Sequence, residues 1–98
     1  MRYNISRAAR VRWAASAAKH GIDRDDVIHA MTAGPVGSAP EYEASRVPGQ
    51  GDPWLFVGRT RAGVVIEVLG AQEGGVFVVF HAMRARDKML AILRRGPK

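Results

Sequence analysis

The last third of the chain most restricts how it can fold, because three consecutive strand patterns lead directly into a basic helix. Apolar runs at 55–60, 64–69 and 76–80 are separated by glycine-containing turns at Arg61-Ala62-Gly63 and over 70–75. The apolar residues of 84–95 then recur every three or four positions, as in a helix with one buried face. These patterns predict an antiparallel meander followed by a C-terminal helix.

Two further helices are predicted in the N-terminal half. The alanine-rich segment from Ser6 to Lys19 is typical of a helix, and Gly21 follows where a left-handed C-terminal cap belongs. A second helix is predicted from Asp23, whose carboxylate can accept hydrogen bonds from the free amides of the first turn. Gly34-Pro35 is expected to end that helix.

Residues 34–53 are rich in glycine and proline and therefore predict a loop. Within it, Glu41 to Val47 could form a short edge strand bounded by prolines. The chain has 98 residues, too few to fill a second core, so a single domain over 1–98 is expected. The predicted fold is α+β: an antiparallel sheet of three to four strands, two N-terminal helices and one C-terminal helix.

The net charge of +6 is distributed unevenly along the chain. Residues 1–20 carry five Arg or Lys and no acidic residue, and residues 84–98 carry six against one aspartate. The central part, 21–83, holds four basic and eight acidic side chains. Basic ends of this kind favour contact with a polyanion such as nucleic acid. Solubility combined with an acidic protein partner is the alternative.

Several classes of function lack support in the sequence. There is no cysteine, no glycine-rich phosphate loop, and no histidine spacing typical of zinc sites, so neither a metal nor a cofactor is expected. No apolar run approaches the roughly 20 residues of a transmembrane helix. A cytoplasmic, bacterial protein without membrane contact is therefore expected. The functions that remain are acid–base catalysis without a metal, or binding without catalysis.

Three residues of the predicted sheet are candidates for such chemistry. His81 lies near the end of the last strand, where an imidazole could transfer a proton near neutral pH or could simply be half-buried, with its ring hydrogen-bonded to the next strand. Arg59 closes the first long strand, where a guanidinium could bind a phosphate or simply be solvated. Glu67 interrupts an apolar strand and either faces solvent or acts as a general base. Whether they share one face depends on the register of the hairpins, which the sequence leaves open.

Other cations extend this candidate site. Arg84 and Arg86 stand at the start of the last helix, where they oppose the helix dipole and so favour a bound anion. Arg61, Lys88 and Arg12 are further candidates for contacts with RNA, with a solvated surface as the alternative for each.

Short motifs along the chain resemble those of a known family. They are Lys19-His20-Gly21-Ile22 before an acidic-capped helix, Phe56-Val57-Gly58-Arg59-Thr60, and the run from Val79 to Arg86. Together they resemble BrnT-type toxins, which belong to the RelE-like ribonucleases of bacterial type II toxin–antitoxin pairs. The similarity extends from about Ile5 to Leu93. It implies a compact RelE-like α+β fold with helices packed against an antiparallel sheet.

The resemblance also implies an activity, the cleavage of RNA without a metal. The ribose 2′-hydroxyl attacks the adjacent phosphate, a base takes its proton, and cations stabilise the phosphorane. Arg59 matches the family's arginine after the glycine of the first long strand. His81-Ala82-Met83 stands where the family has Ser-Ala-Arg, so an arginine is absent and Arg84 or Arg86 is the candidate substitute.

The resemblance further implies a partner, a cognate antitoxin that commonly carries a ribbon-helix-helix DNA-binding part and covers the basic surface. Operator DNA would then be bound only through the antitoxin. The alternative function is a non-catalytic basic module that binds nucleic acid or an acidic protein, which the missing arginine favours.

Overall fold

The computed structural model describes residues 10–40 and 53–95, which form a five-stranded mixed sheet with helices against its faces. The elements in chain order are β1 (Arg10–Trp13), a 3-10 helix (Ala15–Ala18), α1 (Arg24–Thr32), β2 (Pro35–Pro40), β3 (Pro53–Arg59), β4 (Val65–Glu73), β5 (Val76–Arg84) and α2 (Asp87–Arg95). The strand order is β1-β5-β4-β3-β2, with β1 parallel to β5 and the other pairs antiparallel. The predicted RelE-like arrangement, an antiparallel sheet of three to four strands with two N-terminal helices and one C-terminal helix, is therefore wrong.

The first predicted helix is replaced by a strand and one helical turn. Val11 and Trp13 pack against the core, whereas Arg10 and Arg12 are exposed, and this alternation is the pattern of a strand. Pairing with β5 provides burial that outweighs the helix propensity of the alanines, which form only the 3-10 helix. Residues 6–9 of the predicted helix lie outside the described residues.

The second predicted helix is confirmed as α1. The carboxylate of Asp23 accepts a hydrogen bond from the backbone amide of Asp25 at 2.7 Å, as expected of an N-cap. The helix packs on the sheet through buried residues such as Val27 and Met31. It lies so close to β3 that a Cβ atom at Gly58 would overlap the carbonyl oxygen of Ala30. Gly58 is therefore required for packing.

The predicted loop over 34–53 is wrong at its start, where β2 forms an outer strand of the sheet. Pro35 and Pro40 bound this strand, and proline is tolerated at such an edge because one side of an edge strand needs no ladder hydrogen bonds. The pairing with β3 shifts register between Pro35 and Gly37. The edge strand predicted at Glu41 to Val47 lies outside the described residues.

The predicted meander is confirmed as β3, β4 and β5, although the last two strands are longer than predicted. Gly63 (φ 86°) forms the first turn. The second turn is only Gly74-Gly75, because Gly70 is paired with Val79 inside the sheet. The predicted C-terminal helix is confirmed as α2, which begins at Asp87 because β5 continues to Arg84.

The sheet separates two apolar clusters. The face that carries α1 contains Phe56, Ile66, Val68, Phe77, Val79 and Ala82. The face that carries α2 contains Leu55, Val57, Leu69 and Met89. A register shift between β4 and β5 leaves Phe80 unpaired, so that Leu69 pairs with His81. This bulge turns His81 toward the α2 face.

No helix in the described parts of the chain has the length and apolar character that crossing a membrane requires.

Candidate active site

A buried carboxylate lies at the centre of the candidate site. Glu67 is in the middle of β4, paired with Val57 on one side and Met83 on the other. Its exposed fraction is 0%, and among the described residues it is the only buried charged side chain. A charge in this position requires compensating partners, since an unpaired buried carboxylate is strongly unfavourable.

The first partner is the imidazole of His81. Its Nε2 atom lies 2.8 Å from Oε2 of Glu67, and 20% of the side chain is exposed. The contact depends on the bulge at Phe80. With regular alternation, His81 would point to the same face as Phe77 and Val79, into the other apolar cluster.

The second partner is Arg86, which binds the same carboxylate through both its side chain and its backbone. Its Nη2 atom lies 2.5 Å from Oε2, and its Nε atom lies 3.1 Å from each oxygen. Its backbone amide donates to Oε1 at 2.8 Å. The carbonyl of Arg86 accepts from the amides of Met89 and Leu90, so Glu67 also fixes the start of α2.

These contacts set the charge of the carboxyl group. Burial by itself raises the pKa of Glu67, but the hydrogen bonds from Arg86 and His81 outweigh burial and hold the pKa below its usual value. An ionised carboxylate can only accept hydrogen bonds, so Nε2 of His81 must be the donor. In the neutral imidazole, Nδ1 then carries the lone pair, and no described residue is hydrogen-bonded to it.

A second imidazole lies beside the first. The ring centres of His20 and His81 are 5.7 Å apart with an interplanar angle of 77°. His20 was predicted only as part of the motif Lys19-His20-Gly21-Ile22, between the two predicted N-terminal helices. A prediction of Arg10–Trp13 as a strand paired with β5 would have placed the residues that follow it, including His20, beside β5.

The other predicted catalytic cations lie at the same end of the sheet but on different faces. Arg59 is the exposed last residue of β3 and, by alternation with Leu55 and Val57, lies on the face of Glu67. Arg84 is exposed and pairs with Ile66, which places it on the opposite face.

The predicted RNA-binding residues are dispersed. The guanidinium of Arg61 is paired with Asp26 at 2.8 Å and with Asp23 at 3.6 Å, and its hydrogen bonds lower the pKa of the Asp26 carboxyl. Lys88 is exposed in the first turn of α2, near Arg86 in the chain. Arg12 is exposed on β1 opposite Val78, away from the end of the sheet where the other cations gather.

The structure thus brings together His81, Glu67 and Arg86, and adds His20. The Nδ1 atom of His81 can accept a proton from a hydroxyl group that approaches it. The side chain of Arg86 is 37% exposed, and its Nη1 atom is not used by Glu67, so it can donate to an incoming anion. Within 10–40 and 53–95, no group of three or more His, Cys, Asp or Glu side chains could hold a metal ion.

Comparison with models of protein families, with curated proteins and with solved structures finds no match for this chain.

Proposed function

We propose that the protein is an endoribonuclease that cleaves RNA through attack of the ribose 2′-hydroxyl, without a metal ion. The observation that carries this proposal is the hydrogen bond between His81 and the buried carboxylate of Glu67. It holds the imidazole in one orientation with Nδ1 available, which is the arrangement that a general base needs. His81 takes the proton of the 2′-hydroxyl as the oxygen attacks phosphorus.

Cations at the same end of the sheet support the remaining chemistry. The phosphorane formed by the attack carries extra negative charge, and donors already fixed in place stabilise it more than the ground state. Arg86 is held by Glu67 with part of its guanidinium exposed, and Arg59 is exposed on the same face. We assign contact with the reacting phosphate to Arg86 and a supporting electrostatic role to Arg59, Arg84 and Lys88.

Glu67 has a different role in this proposal from that of a general base. Both of its oxygens already accept hydrogen bonds, and its side chain is fully buried. It therefore orients His81 and Arg86 and compensates positive charge that develops on the imidazole. We expect it to act as a positioning residue.

We further propose that the protein is the toxin of a bacterial type II toxin–antitoxin pair acting in the cytoplasm. The BrnT-like motifs support this assignment, and so does the net charge of +6, which an acidic segment of an antitoxin could balance. Binding to operator DNA would occur only through that antitoxin. Expression of the toxin without its antitoxin is expected to arrest growth, and His81→Gln is expected to relieve the arrest.

The direct test is incubation of the purified protein with a long single-stranded RNA in the presence of a metal chelator. We expect fragments that end in a 2′,3′-cyclic phosphate, and His81→Gln is expected to slow cleavage by about 100-fold or more. His29→Gln is the matched control, because that ring is hydrogen-bonded to the backbone carbonyl of Arg59 from α1 and has no described bond to Glu67, His81 or Arg86. Full activity of the His81 variant would refute the proposed site.

A non-catalytic basic binding module is the second candidate, and one observation favours it. The hydrogen bonds that the backbone and side chain of Arg86 donate to Glu67 would be equally useful for attaching α2 to the sheet. In that case the protein would bind RNA in a filter-binding or gel-shift assay without producing fragments. Binding without cleavage by the wild-type protein would therefore select this second function.

A further inference from the structure

We propose that His20 is a second catalytic residue of this site and protonates the leaving 5′-oxygen when RNA is cleaved. The inference rests on the proposed ribonuclease function and extends it to a pair of imidazoles. The observation that supports it is the contact between the rings of His20 and His81, which are 61 residues apart in the chain.

The separation of the two rings suits a shared substrate. Their centres are 5.7 Å apart, and the rings meet edge to face. A group that transfers a proton must come within about 2.6–3.2 Å of the oxygen concerned. The attacking and leaving oxygens are bonded to one phosphorus atom, so two neighbouring imidazoles can each reach one of them. His20 is exposed and His81 is half-buried, so both are open to a ligand at the edge of β5.

The chain holds His20 at this position through the segment that precedes it. The amide of Ala14 donates to the carbonyl of Val79 at 2.9 Å, and the hydroxyl of Ser16 donates to the carbonyl of Phe80 at 2.6 Å. These bonds lay the 3-10 helix along β5 just beyond the end of β1. Gly21, with φ of 70°, then turns the chain toward α1. His20 is thus fixed to the same strand that carries His81.

The two histidines have complementary roles in the proposed step. Nδ1 of neutral His81 takes the proton of the 2′-hydroxyl, and the 2′-oxygen forms a bond to phosphorus. The bond between phosphorus and the 5′-oxygen breaks, and the imidazolium of His20 gives its proton to that oxygen. The products are a 2′,3′-cyclic phosphate and a 5′-hydroxyl end, and proton exchange with water restores both rings.

Two other candidate proton donors, Arg86 and Lys19, are less suited to this role. The guanidinium of Arg86 does not release a proton under ordinary conditions, and it is already bonded to Glu67. Lys19 precedes His20 and is exposed, with no described hydrogen bond or ion pair of its side chain. Only His20 among these groups contacts the ring of His81 and carries an imidazole, the side chain that most often acts as a general acid.

The test compares two substrates, an ordinary RNA linkage and one in which sulfur replaces the bridging 5′-oxygen at the cleaved position. A thiolate leaves without protonation, so loss of a general acid should matter only for the ordinary linkage. We expect His20→Gln to slow cleavage of the ordinary substrate by about 100-fold or more and to be close to wild type with the sulfur substrate. His81→Gln should remain slow with both substrates, since the base is still required. Lys19→Gln, one residue away, should match the wild type with both.

The outcomes separate this inference from the proposed function. If the wild type cleaves RNA and His20→Gln is equally slow with both substrates, or is fully active with the ordinary one, the assignment of His20 is wrong while the ribonuclease stands. If the wild type cleaves neither substrate, both proposals fail. Thermal unfolding of the His20 variant is expected to match that of the wild type because the residue is exposed.

Discussion

Replacement of Glu67 by glutamine is the most informative perturbation of the structure. The carboxylate accepts from three groups: the His81 ring, the Arg86 backbone amide and the Arg86 guanidinium. Glutamine has the same shape as glutamate but no charge. Its amide NH2 group replaces one carboxylate oxygen and therefore faces an N–H group that donated a hydrogen bond to that oxygen. The substitution therefore removes an ion pair and leaves donors opposed to each other.

The size of the effect follows from the burial of each partner. Removing one member of a buried ion pair costs about 3–5 kcal/mol. Arg86 and His81 are 37% and 20% exposed, so both can regain contact with water, and we expect the lower end, about 3 kcal/mol. For a domain of this size, 1 kcal/mol shifts the melting temperature by about 4–8 °C, so a decrease of about 12–24 °C is expected.

The assay is thermal and urea unfolding of the wild type and Glu67→Gln across a range of pH. Because the pKa of Glu67 is lower in the folded chain than in the unfolded one, its ionised form stabilises the fold above the ordinary pKa of 4.5. That contribution is lost as the pH falls below this value through the folded-state pKa. The difference in the free energy of unfolding between the two proteins should therefore narrow as the pH falls below 4.5.

Glu73→Gln is the matched control, since it is the same substitution on the same strand at a position that is not buried. Surface substitutions of this kind change stability by about 0.5 kcal/mol or less. If Glu67→Gln is no more destabilising than Glu73→Gln, or if its effect does not depend on pH, the inferred role of the buried carboxylate is refuted.

Two smaller changes test how the site is positioned. Gly58→Ala should destabilise the fold by about 1–3 kcal/mol in urea unfolding, because the added methyl group overlaps the carbonyl of Ala30. Gly75→Ala is the control and should have a much smaller effect, because no atom lies within 4 Å of its added Cβ. Ser16→Ala removes the hydrogen bond to the carbonyl of Phe80 and should slow RNA cleavage while reducing stability by only about 1 kcal/mol. Equal effects of the two glycine substitutions, or unchanged cleavage by the serine variant, would contradict these predictions.

The parts of the fold that the sequence predicted well have strong local signals. Asp23 caps α1 by a bond within its own turn, and the strands of the meander consist of apolar runs separated by glycine turns. The N-terminal segment was wrongly predicted as a helix because of its alanines, although helix propensity is a weak signal that tertiary packing can override. The competing strand signal, the alternation of Val11 and Trp13 with arginines, is only four residues long. Its partner strand, β5, lies more than 60 residues away.

The site itself could be predicted only in part, because its geometry depends on a bulge. The sequence indicated His81, Glu67 and Arg86 as candidates, but not that they contact one another. A single unpaired residue, Phe80, decides which face His81 occupies, and the sequence around it carries no distinctive signal of a bulge. His20 was missed for a related reason, since its position follows from the parallel pairing of β1 with β5.

The most direct test of the central claim is the tautomeric state of His81, measured by ¹⁵N–¹H NMR of the imidazole rings with His81→Gln used for assignment. The account predicts that the neutral ring carries its proton on Nε2, with Nδ1 unprotonated, because the ionised Glu67 can only accept. The same state is expected to be lost in Glu67→Gln. A neutral His81 protonated on Nδ1 in the wild type would contradict the geometry on which the proposed chemistry depends.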